Sequence, residues 1–330
     1  MKKLFSILAG SFLALHAASV LAAPPIRVLI LDGESAAPYH NWKSETPILK
    51  AELDETGLFQ TEVLTAPPAG GDFSQFHPDW AKYQVVVFNY DAPDDRWSDD
   101  VKTSFETYMK QGGGLVTVHA ADNAFPKWAA YNEMIGIGGW RGRTEAAGPL
   151  WHYKDGKLVS DDTPGRAGNH GLRLPFQVTV RDANHPITKG LPKVWMHQGD
   201  ELYSRLRGPG HFTVLATAYS DPANRGTGFD EPQLMVSQFG KGRVFHTTFG
   251  HDVIALSSVD GVVTFQRGVE WAATGKVTQP VPASFPTANT VSYRTDLAAK
   301  DPNFPKGLNV FDAPTTPRPG PPQQPAAMPK

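Results

Sequence analysis

Cysteine is absent from all 330 residues, which excludes thiol nucleophiles, thiolate metal ligands and disulfide staples together. An excess of charge of either sign is missing too, since 31 Lys and Arg face 33 Asp and Glu for a formal net charge of −2. No basic stripe stands out, so nucleic acid and anionic membrane surfaces are not expected as partners. Long apolar runs are also lacking: the stretch from Leu4 to about Leu15 is shorter than the roughly 20 residues a membrane span needs. Preceded by Lys2-Lys3 and followed by small residues up to Ala22, it predicts a secretory signal peptide over 1–22 and a periplasmic or secreted protein. Without disulfides, such a protein draws its stability from a large core, which about 250 ordered residues can supply as one domain.

From Ile26 onward, short apolar runs alternate with amphipathic stretches, the pattern of strands and helices around a mostly parallel sheet. Strands are expected at Ile26–Leu31, Leu58–Leu64, Gln84–Asn89 and Leu115–Val118. Helices are expected at Ser44 to about Glu55, after the Ser98 cap as far as Gly112, and from Phe125 to about Ile135. Between Gly136 and Asp230 glycine- and proline-rich turns interrupt candidate strands at Phe176–Val180 and Phe212–Ala216, an elaboration of the sheet carrying long loops. Two strands, Gln233–Phe239 and Arg243–Thr248, and one helix, Val253 to about Ala273, complete the domain, expected over 23–278. Twelve of the 29 prolines follow Thr278, so 279–330 is expected to be an extended or disordered tail, with Phe285, Tyr293, Phe304 and Phe311 available for docking.

Ligands of open parallel sheets bind outside the carboxyl ends of the strands. Ordered by that rule, the first strand leads to Asp32, Glu34 and His40, the third to Asp91, the fourth to His119 and Asp122, and the last to His251-Asp252. Several loops thus converge on one crevice. Each residue has a plainer role open to it: His119 as partner of a neighbouring carbonyl, Asp252 as a helix cap, His246 as a core histidine. The run from His197 to Tyr203 offers an imidazole and the adjacent acids Asp200 and Glu201, with Leu202 and Tyr203 holding them in place. His170 lies in a polar turn that could close over a ligand, whereas His152 and His185 carry weaker signals. Ten of the eleven histidines lie beyond residue 22, and imidazoles with carboxylates suit a divalent metal, zinc or manganese. No HExxH, phosphate loop, dinucleotide fingerprint or GxSxG elbow is present.

Five ordered motifs carry a resemblance: Arg27 to Gly33 with His40-Asn41-Trp42; GGGLVTVHAADNAF, ending near Trp128; HPITKGLP at His185; DELY at Asp200–Tyr203; and GKGRVFHTTFGHD ending at Asp252. Together they resemble the trehalose-utilisation, ThuA-like family over about Ile26 to Gly275. The resemblance implies an α/β, flavodoxin-like fold of the class I glutamine amidotransferase type, a mostly parallel sheet with helices on both faces. Where those amidotransferases place a cysteine at the strand-to-helix elbow, this chain has His119, and Gly250-His251-Asp252 stands where their second catalytic motif would lie. Without the thiol no acyl intermediate forms, which excludes glutaminase chemistry.

The resemblance further implies carbohydrate metabolism, with links to disaccharide use and 3-keto sugars. An enzyme acting on a glycoside or 3-keto-glycoside by hydrolysis, elimination or isomerisation is therefore expected. Its catalytic residues would be His119, His251, Glu201 and Asp252, as acid and base or around a metal. His40, Trp42, Asp122, Trp128, Trp140, His170 and His197 would line the substrate site, the tryptophans stacking on a sugar ring. A non-catalytic carbohydrate-binding or scaffold protein would use the same crevice, and an adaptor would depend on the proline-rich tail.

Overall fold

The computed structural model describes residues 24–35 and 39–299; the expected signal peptide and the tail beyond 299 lie outside them. Strand β1 (Ile26–Asp32), helix α1 (Trp42–Asp54), β2 (Phe59–Thr65), β3 (Val85–Phe88), α2 (Asp99–Gln111), β4 (Gly114–Val118) and α3 (Ala129–Ile135) follow in the expected succession. The elaboration then supplies β5 (Leu150–Lys154), β6 (Lys157–Asp161), β7 (Leu174–Val180), β8 (Val194–Asp200) and β9 (Phe212–Tyr219). It is followed by β10 (Asp230–Phe239), β11 (Gly242–Thr247), α4 (Val253–Leu256), α5 (Val259–Thr274) and α6 (Thr295–Ala298).

The main path of the sheet runs β2-β1-β3-β4-β11-β10-β9-β7-β8. Its first five strands are parallel, in the flavodoxin-like order in which the connection reverses direction between β1 and β3 and opens a crevice. Every later pairing is antiparallel. Alternate residues of the parallel strands feed two cores. Val28, Ile30, Val85, Val87, Val116 and Val118 pack with α1 and α5, while Leu29, Leu31, Val86, Phe88 and Leu115 pack with α2 and α3. Strands covered on both faces read as continuous apolar runs for this reason.

Local chemistry explains where the elements stop. The Ser98 hydroxyl caps α2 by accepting from the Val101 amide, and Gly112 ends it at φ 114°, a conformation that favours glycine. The expected helix from Phe125 starts only at Ala129, because Phe125 itself is left-handed at φ 48°. The single helix expected over Val253–Ala273 is two, α4 and α5, broken at Ser257-Ser258. There the Ser257 carbonyl accepts from the Arg294 amide and the Val259 amide donates to Ser292, so the tail satisfies backbone groups a continuous helix would have paired internally. The segment expected to be extended or disordered from 279 is accordingly docked as far as 299, with Phe285 and Leu297 buried and Arg294 bonded to Glu55 at 2.7 and 2.6 Å. No helix among the described residues is long and apolar enough to cross a membrane.

Candidate active site

Because β1, β4 and β11 run parallel, the residues that follow them emerge on one edge of the sheet. His40 sits just before α1, His119 directly after β4, and His251 beyond the Thr248-Phe249-Gly250 turn after β11. One ring nitrogen from each of the three lies within 4.8 Å of the other two, and all three residues are buried. His119 holds φ 47°, a strained position for a non-glycine residue at the elbow between a strand and its turn. Its Nδ1–H donates to the Thr248 carbonyl at 2.6 Å, and His40 Nδ1 lies 3.4 Å from the His251 carbonyl. These carbonyls orient the two rings through Nδ1, so that Nε2 of each has a lone pair to offer once the ring is neutral.

A carboxylate completes the group. Glu201 Oε2 is 3.0 Å from His251 Nδ1 and 3.7 Å from His119 Nε2, while Oε1 is 3.5 Å from His170 Nε2. It follows β8, four strands beyond β11 along the path, and reaches the cluster because the sheet curls back around α5. Asp200 locks this closure. Its carboxylate accepts from the amides of Glu201 (2.7 Å), Gly250 (2.8 Å) and His251 (3.1 Å), tying the ends of β8 and β11 together. Behind it, His197 bridges Asp200 (3.2 Å) and Asp260 of α5 (2.7 Å), and the Trp195 indole N–H donates to Asp260 at 2.8 Å.

The electrostatics are those of charges sharing a dry space. Burial, then the charges of His119 and His251, push His40 down to about 3. Burial opposes charge on His119 as well, but Glu201 and Asp200 outweigh it and hold the imidazole up at about 9. Burial works against the Glu201 carboxylate, yet the surrounding imidazoles hold it far below the usual range. His170 is lowered, chiefly by burial.

The residues fit a divalent cation. His119 Nε2 and His251 Nδ1 are buried without an aligned hydrogen-bond partner, the costly state that a ligated metal resolves. His119 also donates its other N–H to a backbone carbonyl, as metal-bound imidazoles do. Three imidazoles beside an acid suit zinc or manganese better than calcium or magnesium.

Several sequence expectations are corrected. Asp252 is not in the cluster: its carboxylate caps α4 through the Ile254 and Ala255 amides, both at 3.0 Å, and pairs with Arg173. Trp128 is no sugar platform. It is buried among Trp97, Phe105, Phe125 and Tyr131, its indole N–H bonded to Glu106 at 2.9 Å. His197 is wholly buried between two acids and positions Asp200 rather than a ligand. Asp122 is buried as well and faces His246 at 3.5 Å. Trp140 and His170 stay near the cluster: the Trp140 ring lies 4.5 Å from Tyr203, which in turn lies 4.1 Å from His119. Trp42 opens α1 half-buried, with the Lys43 ammonium 5.5 Å from its ring.

Sequence reasoning missed Asp260 and Glu45. Both stand near helix starts, where an acid is ordinarily an exposed partner of the dipole. Glu45 is instead buried, accepting from the Asn41 amide at 2.8 Å, and burial pushes it up to about 8 despite that bond and the His119 charge. Its folded pKa exceeds the ordinary 4.5, so folding takes up a proton, and its effect on stability becomes increasingly unfavourable as pH rises from about 4.5 towards 8. Glu45→Gln, whose amide oxygen can keep the Asn41 bond, is expected to flatten that decline, read from urea midpoints at pH 5 and pH 8.

Residues 27–272 match the model of the ThuA family, described as trehalose utilisation. Among solved structures, a ThuA-like protein of Parabacteroides merdae ATCC 43184 is 43% identical with a TM-score of 0.80, the match covering 83% of this chain and 99% of that one. A ThuA-like protein of Bacteroides uniformis ATCC 8492, 20% identical with a TM-score of 0.50 over 80% of this chain and 97% of its own, shares the fold. No curated protein matches. The flavodoxin-like half-sheet and the motifs that build the histidine cluster lie inside the matched span, and the chain belongs to the ThuA, trehalose-utilisation family.

Proposed function

We propose that the protein is an exported sugar-processing enzyme that acts on a glycoside or 3-keto-glycoside, with His40, His119 and His251 as ligands of a zinc or manganese ion and Glu201 as the proton carrier. The observation that supports this most is the pair of buried ring nitrogens, His119 Nε2 and His251 Nδ1, that face one another and the Glu201 carboxylate without an aligned hydrogen bond. A binding module for neutral sugars gains nothing from gathering three buried imidazoles around one carboxylate. A bound cation would supply Lewis-acid polarisation of a substrate oxygen.

The chain's own residues supply the proton chemistry. A keto group acidifies the neighbouring C–H, and Glu201 accepts that proton, the first step of either elimination or isomerisation. Its basicity is low while His119 is protonated beside it and recovers when that imidazole is neutral, the form a ligand must take. His170, half-buried with Nε2 3.5 Å from Glu201 Oε1, takes the proton from that carboxylate and delivers it to the departing oxygen or to the neighbouring carbon. Trp140 and Tyr203 form the aromatic wall on that side.

The test is purified protein loaded with zinc or manganese and incubated with 3-keto-trehalose, the sugars followed by NMR. Consumption that stops on chelation and resumes on reloading is expected. Binding of 3-keto-glycosides without consumption by the loaded protein would contradict the enzymatic reading in favour of a sugar-binding protein.

A further inference from the structure

A second cavity, of about 330 Å³, lies away from the histidine cluster, among the loops between β5 and β10. Arg205 and Arg225 line it. Both adopt positive φ, 56° and 61°, a conformation non-glycine residues keep where the surroundings impose it, often at ligand clamps. The cavity's acids are occupied. Asp161 accepts from the Thr163 amide and hydroxyl at 2.8 and 2.6 Å, and buried Glu231 accepts from the Thr227 hydroxyl at 2.6 Å. Neither guanidinium group makes a hydrogen bond or a close ion pair with another described residue, although the Arg205 charge is near enough to Asp161 and Glu231 to favour their ionised forms.

The walls are braced around those groups. The Asn169 amide donates to the Ser204 hydroxyl at 3.2 Å and to the Arg225 carbonyl at 3.0 Å, joining the two arginine loops. The His152 ring lies flat on Phe229, centroids 3.9 Å apart at 17°, giving the cavity an aromatic side. Guanidinium forks match the geometry of carboxylate and phosphate oxygens, and a cavity of this size accommodates a single sugar ring more readily than a long chain.

We propose that this cavity is a second ligand site that takes the oxyanion of a small acidic sugar, a carboxylate or a phosphate, through Arg205 and Arg225. The assignment does not depend on the catalytic reading.

The test is calorimetric titration of the purified protein with glucuronate, glucose 6-phosphate, inorganic phosphate and glucose. At least one acidic sugar is expected to bind with a Kd of about 1 mM or tighter, and more than tenfold tighter than glucose. Arg205→Ala and Arg225→Ala should each weaken it at least tenfold, while His119→Ala leaves it unchanged. Preference for glucuronate names a carboxylate ligand, and preference for glucose 6-phosphate a phosphate one. Binding of inorganic phosphate alone, equal binding of glucose, no binding of any acid, or loss with His119→Ala rather than with the arginine variants would overturn the proposal. Should Arg205→Ala fail to fold, Arg225→Ala, at an exposed position, carries the test.

Discussion

Glu201→Gln is expected to lower kcat for a 3-keto-glycoside by about 10²–10⁴-fold, the range for removing a general base, with substrate affinity little changed. Gln is nearly isosteric and keeps an oxygen toward His251, so the fold and the Asp200 clamp on the Glu201 amide persist. What disappears is the carboxylate that contacts His251, His119 and His170 at once. No other carboxylate makes an ion-pair contact with these three imidazoles among the described residues: Asp200 is occupied by three backbone amides and His197, and Asp252 by its helix and Arg173. Steady-state kinetics with binding measured separately decide it, and a variant retaining more than a tenth of wild-type kcat removes Glu201 from the chemistry.

Asp200→Ala should cost about 3–5 kcal/mol of stability, the range for stripping one partner from a buried charged pair. Three buried amides lose their acceptor, and His197 keeps its contact with Asp260 alone. The pH dependence has a definite sign. Burial disfavours the Asp200 carboxylate, but the His197 bond, the nearby imidazole charges and the Gly250 amide hold its pKa at about 2, below the ordinary 3.8. Its contribution is therefore complete above about 3.8 and lost as pH falls through 2. His197 is opposed by burial but raised by Asp260 and Asp200 to about 9, above the ordinary 6.5, so its contribution is complete below about 6.5 and lost as pH rises through 9. The difference in unfolding free energy between wild type and Asp200→Ala should consequently be largest between about pH 4 and 6.5, measured by urea denaturation. A difference below about 1 kcal/mol there would show that Asp200 is not the clamp.

The sites at the ends of β1, β4 and β11 were legible because in a parallel sheet chain direction alone decides which residues meet. His40, His119 and His251 follow from that rule, and His119 stands out further through the glycine turn and apolar strand before it. Glu201 was accessible from its motif, but its route into the site was not. The closure depends on an antiparallel extension curling back until Trp195 and His197 of β8 meet Asp260 of α5, contacts between segments distant in sequence with no local periodicity. The same limit explains Trp128, whose neighbours in the aromatic core come from α2, α3 and the turns around them. Asp252 had two roles open to it by position, and its orientation toward the α4 amides gives it the cap.

Titration of zinc into chelator-treated protein, followed by calorimetry, tests the histidine centre most directly. One equivalent should bind, and His119→Ala should weaken it more than about 100-fold, beyond the 10–100-fold typical of losing an outer partner of a metal ligand. Saturable binding that survives His119→Ala unchanged, or no binding of zinc or manganese to the wild type, would contradict the assignment of His40, His119 and His251 as a metal centre.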